Sequence, residues 1–384
     1  MQAFSFFLLV LFATGSAVAT AQTGRATLSL VDPTRGNREI PIELYYPADQ
    51  SGTDVPIAEG AYPVIAFGHG FAMQPTDYGT LGDALSAAGY VVAFVGTETG
   101  FAPSHNDFGL DLLFTVATLP TLAAEPGNLL SGHVLPRRAI AGHSMGGGAT
   151  WLAAAAAAPL SAFALDCIVG LAPAETNPSA IAAAAYVAVP SLILSGDADA
   201  VTPPSEHHLP IHDATAAECR TFVSLLEGGH CGYADEGSLC DLGELFFSGL
   251  DRETHLALTT ALLTAWFDFH LKDDPTAWTA LEEFDSGTPH TLTTIDCASA
   301  VFSPFAVAAA SPFPNPFSRT LTPAPCGSGA PSEVVLRDLA ARAVTSPVVL
   351  TPGSVLHVPD LPSGIYFLEQ RCGSEVARFP VVKE

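Results

Sequence analysis

The sequence of 384 residues predicts an α/β fold, a doubly wound and mostly parallel sheet, followed by a small C-terminal β-sandwich. Short apolar runs alternate with helix-like stretches, which is typical of parallel strands joined by helices. One of these runs leads into Gly142-His143-Ser144-Met145-Gly146, a serine between glycines before an Ala-rich stretch. From Ala298 to Pro316 the chain is rich in Ala, Ser, Pro and Phe without a regular period, and beyond this linker it has short alternating runs separated by Gly, Pro and Ser, which predicts the β-sandwich.

The predicted elements of the sheet follow one another in an order that suits this fold. An antiparallel pair of strands comes first, and buried parallel strands with intervening helices follow. The predicted strands cover residues 26–30, 40–46, 62–67, 91–95, 138–141, 167–171, 190–196 and 221–226. The predicted helices cover residues 76–88, the stretch after Ser144, and residues 253–271.

The motif around Ser144 predicts a nucleophile. A strand that turns sharply into a helix crowds the serine backbone, so the flanking positions need glycine, and the hydroxyl lies at the tip of the turn. A serine hydroxyl is a weak nucleophile near neutral pH. A histidine must therefore accept its proton, and a carboxylate must orient that histidine.

Candidates for both partners follow at the ends of later predicted strands. His230 ends the run Glu227-Gly228-Gly229-His230, and Asp197 and Asp199 follow the strand at 190–196. Asp199 lies deeper in its loop and is favoured as the orienting acid, while Asp197 remains the alternative. Serine, acid and histidine in this chain order are typical of an α/β-hydrolase.

A glycine-flanked turn after the strand at 62–67 predicts an oxyanion hole. Its residues are Gly68-His69-Gly70-Phe71. In this fold one backbone N–H comes from the residue after the nucleophile and another from this early loop. Met145 and Phe71 are therefore the predicted donors.

A group of histidines, His207, His208 and His212, is the strongest candidate for a metal site. Pro210 argues against a helix that would place two of them on one face, and no known metal-ligand spacing is present. We therefore predict neither a metal nor another cofactor.

Several segments together resemble the cutinase-like polyester hydrolases, which include the bacterial poly(ethylene terephthalate) hydrolases, with dienelactone hydrolases and chlorophyllases as more distant relatives. These segments are residues 68–71, 142–148, 196–203, 209–213 and 228–230. The similarity covers about residues 25–275 and is most specific between Arg138 and His230.

The resemblance implies roles for individual residues. It implies a triad of Ser144, Asp199 and His230, with Phe71 and Met145 as oxyanion donors. It implies an open acyl cleft lined by Phe71, His143, Ala174 and Val201.

Two departures from that family bear on the substrate and the loops. Ala174 stands where those polyesterases carry a tryptophan, so a stacking surface for aromatic acyl groups is absent. Gly196 stands where they carry one cysteine of a disulfide that fastens the loops carrying the acid and the histidine.

From the motifs and the resemblance together, we expect a secreted carboxylic ester hydrolase with an acyl-enzyme mechanism, acting on short to medium acyl esters and on polyesters. A non-catalytic surface binding module and a serine peptidase of the same fold are the alternatives.

Both ends of the chain predict export. Residues 1–21 have an apolar core and end in Ala19-Thr20-Ala21, the pattern of a signal peptide, and the apolar run is too short to span a membrane. Residues 314–317, 361–366 and 381–384 resemble the C-terminal sorting domains of the type IX secretion system. The resemblance implies the secretion machinery as a partner and a secreted or surface-attached protein. A carbohydrate-binding or spacer module is the alternative for the tail.

The expected domains are therefore a signal peptide at 1–21, an α/β-hydrolase domain at 22–297, a linker at 298–313 and a β-sandwich sorting domain at 314–384. With 14 Lys and Arg against 39 Asp and Glu, the net charge of −25 argues against nucleic acid and anionic lipid as partners. A monomer is expected.

Seven cysteines in an exported chain predict disulfides. The predicted pairs are Cys231 with Cys240, Cys326 with Cys372 and Cys219 with Cys297, which leaves Cys167 buried and free.

Overall fold

The computed structural model describes residues 22–157, 164–283, 290–294, 319–322, 331–337, 343–351, 354–358, 360–361, 364–372 and 375–383. The predicted signal peptide at 1–21 and the predicted linker at 298–313 lie outside these residues. Within them, no helix combines the length and the apolar character that crossing a membrane requires.

A ten-stranded sheet forms the centre of the described N-terminal part. Its strands are β1 (Gln22–Asp32), β2 (Arg38–Ala48), β3 (Gly52–Thr53), β4 (Tyr62–Gly68), β5 (Val91–Val95), β6 (Val134–His143), β7 (Cys167–Leu171), β8 (Ser191–Gly196), β9 (Arg220–Leu225) and β10 (His290–Thr294). They lie in the order β10-β9-β8-β7-β6-β4-β5-β2-β1-β3. Neighbours from β5 to β9 are parallel, whereas β2 and β10 pair antiparallel with them. This confirms the predicted mostly parallel sheet.

Helices cover both faces of the sheet. They are α1 (Gly79–Ala87), α2 (His105–Ala123), α3 (Met145–Ala157), α4 (Ala180–Ala184), α5 (His208–Ala214), α6 (Arg252–Lys272) and α7 (Pro275–Glu283). Alternate residues of each strand point to opposite faces. Val64 of β4 accordingly packs in one apolar cluster with Trp151 of α3, while Ile65 packs in another with Trp266 of α6.

Four helices of the structure, α2, α4, α5 and α7, were not predicted from the sequence, and two of them have a physical explanation. Helix α2 was not predicted because most of its side chains are buried, and a helix that is apolar on nearly all sides lacks the one-sided pattern that marks a surface helix. Helix α5 forms despite Pro210. The proline is its third residue, and N–H groups of the first turn have no intrahelical acceptor to lose.

The described tail is all-β. Strands β11 (Thr320–Leu321) and β14 (Leu356–His357) pair with each other, while β12 (Ser332–Arg337), β13 (Val348–Leu350), β15 (Gly364–Cys372) and β16 (Glu375–Lys383) form a four-stranded antiparallel sheet. Side chains from several of these strands share a small apolar core, Leu321, Val334, Leu336, Leu350, Leu356, Val358, Tyr366 and Leu368. Two small sheets around one core are compatible with the predicted sandwich.

Buried histidines are expected to make the stability of the fold depend on pH. Burial lowers the pKa of His208 and of His270 to about 3, and that of His255 to about 4, from 6.5. The folded protein thus keeps them neutral, while the unfolded chain binds protons below about pH 6.5. Stability is therefore full above that pH and is lost as the pH falls toward 4. We expect urea denaturation to give a free energy of unfolding lower by a few kcal/mol at about pH 5 than at pH 7. Equal free energies of unfolding at pH 5 and pH 7 would contradict this expectation.

Candidate active site

Ser144 occupies a strained turn between β6 and α3. Its φ of 54° lies in the left-handed region, which residues other than glycine adopt only at an energetic cost. The chain passes very close to itself there, since a Cβ at Gly142 would lie 2.3 Å from the Gly146 carbonyl oxygen, and one at Gly146 would lie 2.2 Å from that of Gly68. The glycines of the motif are therefore required by the backbone packing around the serine.

Ser144, His230 and Asp199 lie in hydrogen-bonding contact. His230 Nε2 is 2.9 Å from Ser144 Oγ, and His230 Nδ1 is 2.7 Å from Asp199 Oδ2. Asp199 follows β8 and His230 follows β9, so the parallel strands bring both to the same edge of the sheet as the serine. All three residues are largely buried.

Asp199 is held as an anion by several donors. The backbone N–H groups of Val201 and Thr202 donate to its Oδ1 at 2.8 Å each, and Thr202 Oγ1 lies 2.9 Å from its Oδ2. Burial acts to raise the pKa of Asp199, but the hydrogen bond from His230 and the surrounding donors outweigh it and hold that pKa below its usual range. Such a carboxylate can orient and stabilise an imidazolium.

Asp197, the alternative acid, has a different position. Its Oδ1 accepts the N–H of Glu227 at 2.6 Å, and Glu227 has a φ of 57°. Nearby, a Cβ at Gly196 would lie 2.3 Å from the Gly228 carbonyl oxygen. Asp197 therefore helps to join the loop that follows β8 (residues 197–203, the Asp loop) to the loop that follows β9 (residues 227–230, the His loop). The backbones of these two loops touch directly. Asp197 does not contact the ring of His230.

His143 does not line the cleft, contrary to the prediction. It is fully buried, with Nδ1 2.9 Å from Tyr78 Oη and Nε2 2.9 Å from the His230 carbonyl oxygen. Gly70 N–H also donates to Tyr78 Oη at 2.8 Å. The residue before the nucleophile thus lies beneath the His loop and links that loop to the turn that carries Phe71.

The other predicted residues lie on segments that carry the site: Phe71 follows Gly70 in the turn bonded to Tyr78, and Val201 donates its N–H to Asp199. Phe71 is 48% exposed and Val201 is 42% exposed, while the half-buried Ala174 donates its N–H to the Ser144 carbonyl oxygen at 2.9 Å. The Met145 side chain is buried and its backbone begins α3. Among the described residues, the N–H groups of Phe71 and Met145 have no acceptor, which leaves both able to bind an oxyanion.

The histidines considered as metal ligands bond in different directions. His207 Nδ1 accepts the N–H of Glu175 at 2.9 Å, His208 Nδ1 lies 2.8 Å from Ser195 Oγ, and His212 Nδ1 lies 3.3 Å from its neighbour Asp213. One other group of possible ligand atoms is close together in the described part of the chain, namely His143, His230 and Cys240. The Cys240 sulfur is bonded to Cys231, so it offers no thiolate to a metal.

The structure contains the predicted disulfide between Cys231 and Cys240, and Cys167 is buried and free. Cys219 and Cys372 are also disulfide-bonded, but their predicted partners lie outside the described residues.

Replacing Cys231 and Cys240 by serine is expected to lower the free energy of unfolding by about 2 to 3 kcal/mol, because the bridge closes a short loop in the unfolded chain. The loss can be measured by urea denaturation of the oxidised protein. An unchanged free energy of unfolding in the protein with both serines would contradict a stabilising role for the bridge.

Some residues around the triad were not found from the sequence. Glu244 accepts the backbone N–H of His230 at 2.5 Å and that of Cys231 at 2.9 Å, and Tyr78 bonds to His143 as described above. Neither carries a local sequence signal. Thr202, three residues after Asp199, could have been noticed, because an aspartate commonly accepts backbone and hydroxyl donors two or three residues later.

A family model described as PET hydrolase-like matches residues 17–253, which is more than half of the chain and includes the whole serine, acid and histidine constellation. The chain belongs to the PET hydrolase-like family. It is also similar to a bis(hydroxyethyl) terephthalate hydrolase of Streptomyces coelicolor, with 27% identity over 194 residues, 49% of this chain and 54% of the relative. The chain thus spans about half the length of the curated relative it matches.

Proposed function

We propose that the protein is a carboxylic ester hydrolase with Ser144 as nucleophile, His230 as general base and acid, and Asp199 as the orienting acid. The observation that carries this proposal is the continuous contact from Ser144 Oγ through the His230 ring to Asp199, at 2.9 Å and 2.7 Å. Membership of the PET hydrolase-like family supports the reaction class.

The first half of the proposed reaction forms an acyl-enzyme. Ser144 Oγ attacks the ester carbonyl carbon while His230 Nε2 takes the hydroxyl proton. The carbonyl oxygen becomes an oxyanion, which the N–H groups of Phe71 and Met145 stabilise. His230 then gives its proton to the departing alcohol oxygen, and the acyl group stays on the serine.

The second half hydrolyses that ester. His230 Nε2 takes a proton from water, whose oxygen attacks the acyl carbon, and the proton then returns to Ser144 Oγ as the acid leaves. Asp199 keeps its charge throughout and stabilises the imidazolium formed in each half. Its low pKa, which the hydrogen bond from His230 helps to maintain, suits this role.

The proposed substrates are short to medium acyl esters, extending to polyesters. Phe71, in the proposed oxyanion turn, and Val201, two residues after Asp199, are exposed apolar side chains, and the exposed Phe101 ring lies 6.1 Å from that of Phe71. Ala174 gives little surface on which an aromatic acyl group could stack. Although the Streptomyces relative is named for a terephthalate ester, we expect this chain to prefer aliphatic acyl groups.

A substrate panel tests this function. p-Nitrophenyl acetate, butyrate, octanoate and benzoate would be compared with bis(hydroxyethyl) terephthalate and with films of an aliphatic and an aromatic polyester. We expect the highest kcat/KM on the aliphatic p-nitrophenyl esters, and product release from the aliphatic film above that from the aromatic one. No turnover of any soluble ester would refute the function, whereas an aromatic preference would refute only the substrate class.

We further propose that the protein is exported, with the tail from residue 314 acting as a sorting domain of the type IX system. The disulfide at Cys231 and the bonded state of Cys219 and Cys372 support an oxidising compartment. The proposal otherwise rests on the sequence resemblance at both ends of the chain.

Shortening the chain to residues 1–297 is expected to separate catalysis from sorting, because every proposed catalytic residue precedes the tail. The shortened enzyme should hydrolyse p-nitrophenyl butyrate at a rate near that of the full chain. In a host with a type IX system it should stay in the periplasm, as fractionation and immunoblotting would show. Recovery in the medium at the level of the full chain would refute the sorting role.

A further inference from the structure

A chain of buried polar side chains lies behind Asp199. Ser195 is the penultimate residue of strand β8, Thr202 is in the following loop, and His208 begins α5; all three are buried. His208 Nδ1 is 2.8 Å from Ser195 Oγ, and His208 Nε2 is 3.0 Å from Thr202 Oγ1. We call Ser195, His208 and Thr202 the buried hydrogen-bond chain. None of these residues performs a step of the proposed reaction.

The donors and acceptors of these residues fix the direction of the bonds. Among the described residues, the Ser195 hydroxyl has one side-chain partner, His208 Nδ1. A buried hydroxyl proton left without an acceptor is costly, so Ser195 donates to Nδ1. Burial lowers the pKa of His208 to about 3, so the ring is neutral and carries its single proton on Nε2.

That proton in turn directs the Thr202 hydroxyl. His208 Nε2–H donates to Thr202 Oγ1, so Thr202 cannot donate back to the ring. Its remaining acceptors are Asp199 Oδ2 at 2.9 Å and the Ala172 carbonyl oxygen at 3.4 Å. The shorter bond, to a charged acceptor, is the stronger one. Thr202 therefore donates to Asp199.

The direction of these hydrogen bonds also decides which atom accepts the proton on His230 Nδ1. His230 Nδ1 lies 2.7 Å from Asp199 Oδ2, but also 2.9 Å from Thr202 Oγ1. Because His208 occupies one lone pair of that hydroxyl oxygen, the carboxylate is the better acceptor for His230. His208 Nε2 itself is 3.7 Å from Asp199 Oδ2, too far for a direct hydrogen bond, so its effect passes through Thr202.

We propose that the buried hydrogen-bond chain of Ser195, His208 and Thr202 positions Asp199, by directing one hydroxyl proton onto the carboxylate oxygen that orients His230. These are positioning residues, and the inference rests on the proposed function of the triad. It goes beyond that function by assigning a role to the buried His208.

The test compares variants that remove or keep the hydroxyl at position 202. Thr202→Val keeps the side-chain shape and deletes the donor, and Thr202→Ser keeps the donor. Thr115→Val is the matched control, since Thr115 is also buried and its hydroxyl has no partner among the described residues. Ser195→Ala tests the far end of the chain. Hydrolysis of p-nitrophenyl butyrate would be measured across pH, with thermal unfolding of each variant.

We expect Thr202→Val to lower kcat about tenfold, with KM nearly unchanged. Losing a donor makes the Asp199 carboxylate more basic, which favours the protonated imidazole, so the acid limb of the kcat/KM profile should move to higher pH. Thr202→Ser should restore both, Ser195→Ala should give a smaller change in the same direction, and Thr115→Val should give none. The other titratable groups facing the triad are the same in all four variants; they are His143, His208, Tyr233, Glu244 and His255.

A Thr202→Val enzyme with the kcat and acid limb of the unmodified enzyme would overturn the proposal, as would equal losses in Thr202→Ser. If Thr202→Val does not fold, an unchanged pH profile in Ser195→Ala overturns it. Ser144→Ala distinguishes a failure of the proposed triad from a failure of the positioning role alone. If that variant keeps turnover, the triad itself is wrong and the positioning role falls with it; if it is inactive while the Thr202 variants behave normally, only the positioning role fails.

Discussion

Replacing Ser144 by alanine is expected to lower esterase turnover by about 10⁶-fold, because the members of a catalytic triad act as a unit and little remains when one is removed. The same change should abolish covalent labelling by a fluorophosphonate, which reacts with an activated serine. Both can be measured on the purified protein, by p-nitrophenyl butyrate hydrolysis and by gel fluorescence. The backbone φ of 54° at this position stays accessible to alanine at a similar cost, so the fold should be retained.

Ser205→Ala is the matched control for this experiment. Ser205 is exposed and lies on the loop that follows Asp199, so its loss should leave both turnover and labelling unchanged. Labelling that persists in Ser144→Ala would move the nucleophile to another residue.

The second large effect is expected at Asp199. Asp199→Asn should lower turnover by about 10⁴-fold, because an amide can donate to His230 Nδ1 and stabilise the tautomer that cannot accept the serine proton. Asp197→Asn is the matched control. Its Oδ1 can still accept the N–H of Glu227, so turnover should change little. Steady-state kinetics on p-nitrophenyl butyrate would compare the two, and the opposite ranking would reassign the orienting acid to Asp197.

Much of the fold and the geometry of the site followed from local sequence patterns. The glycines around Ser144, after a short apolar strand, predict the sharp turn that presents the serine. A parallel sheet brings the ends of β8 and β9 to the same edge, so Asp199 and His230 could be predicted to lie near Ser144. The order of these residues along the chain was therefore enough to predict their contact.

What could not be predicted depends on contacts between distant segments. His143 was expected in the cleft because it neighbours the nucleophile, but its buried position is set by Tyr78 and by the His230 carbonyl oxygen. The pairing of His208 with Ser195 and Thr202 likewise needs α5, which the presence of Pro210 argued against. No residue type or spacing in these segments specifies such partners.

The contact between Gly196 and Gly228 limits how this enzyme could be made more resistant to heat. A designer who wished to copy the loop-fastening disulfide of related polyesterases would place a cysteine at position 196. Any Cβ there would meet the Gly228 carbonyl oxygen at 2.3 Å, well inside van der Waals contact, so the segment that carries Asp199 or the one that carries His230 would have to shift. Attempts to engineer a thermostable form should therefore place new crosslinks elsewhere and keep glycine at this crossing.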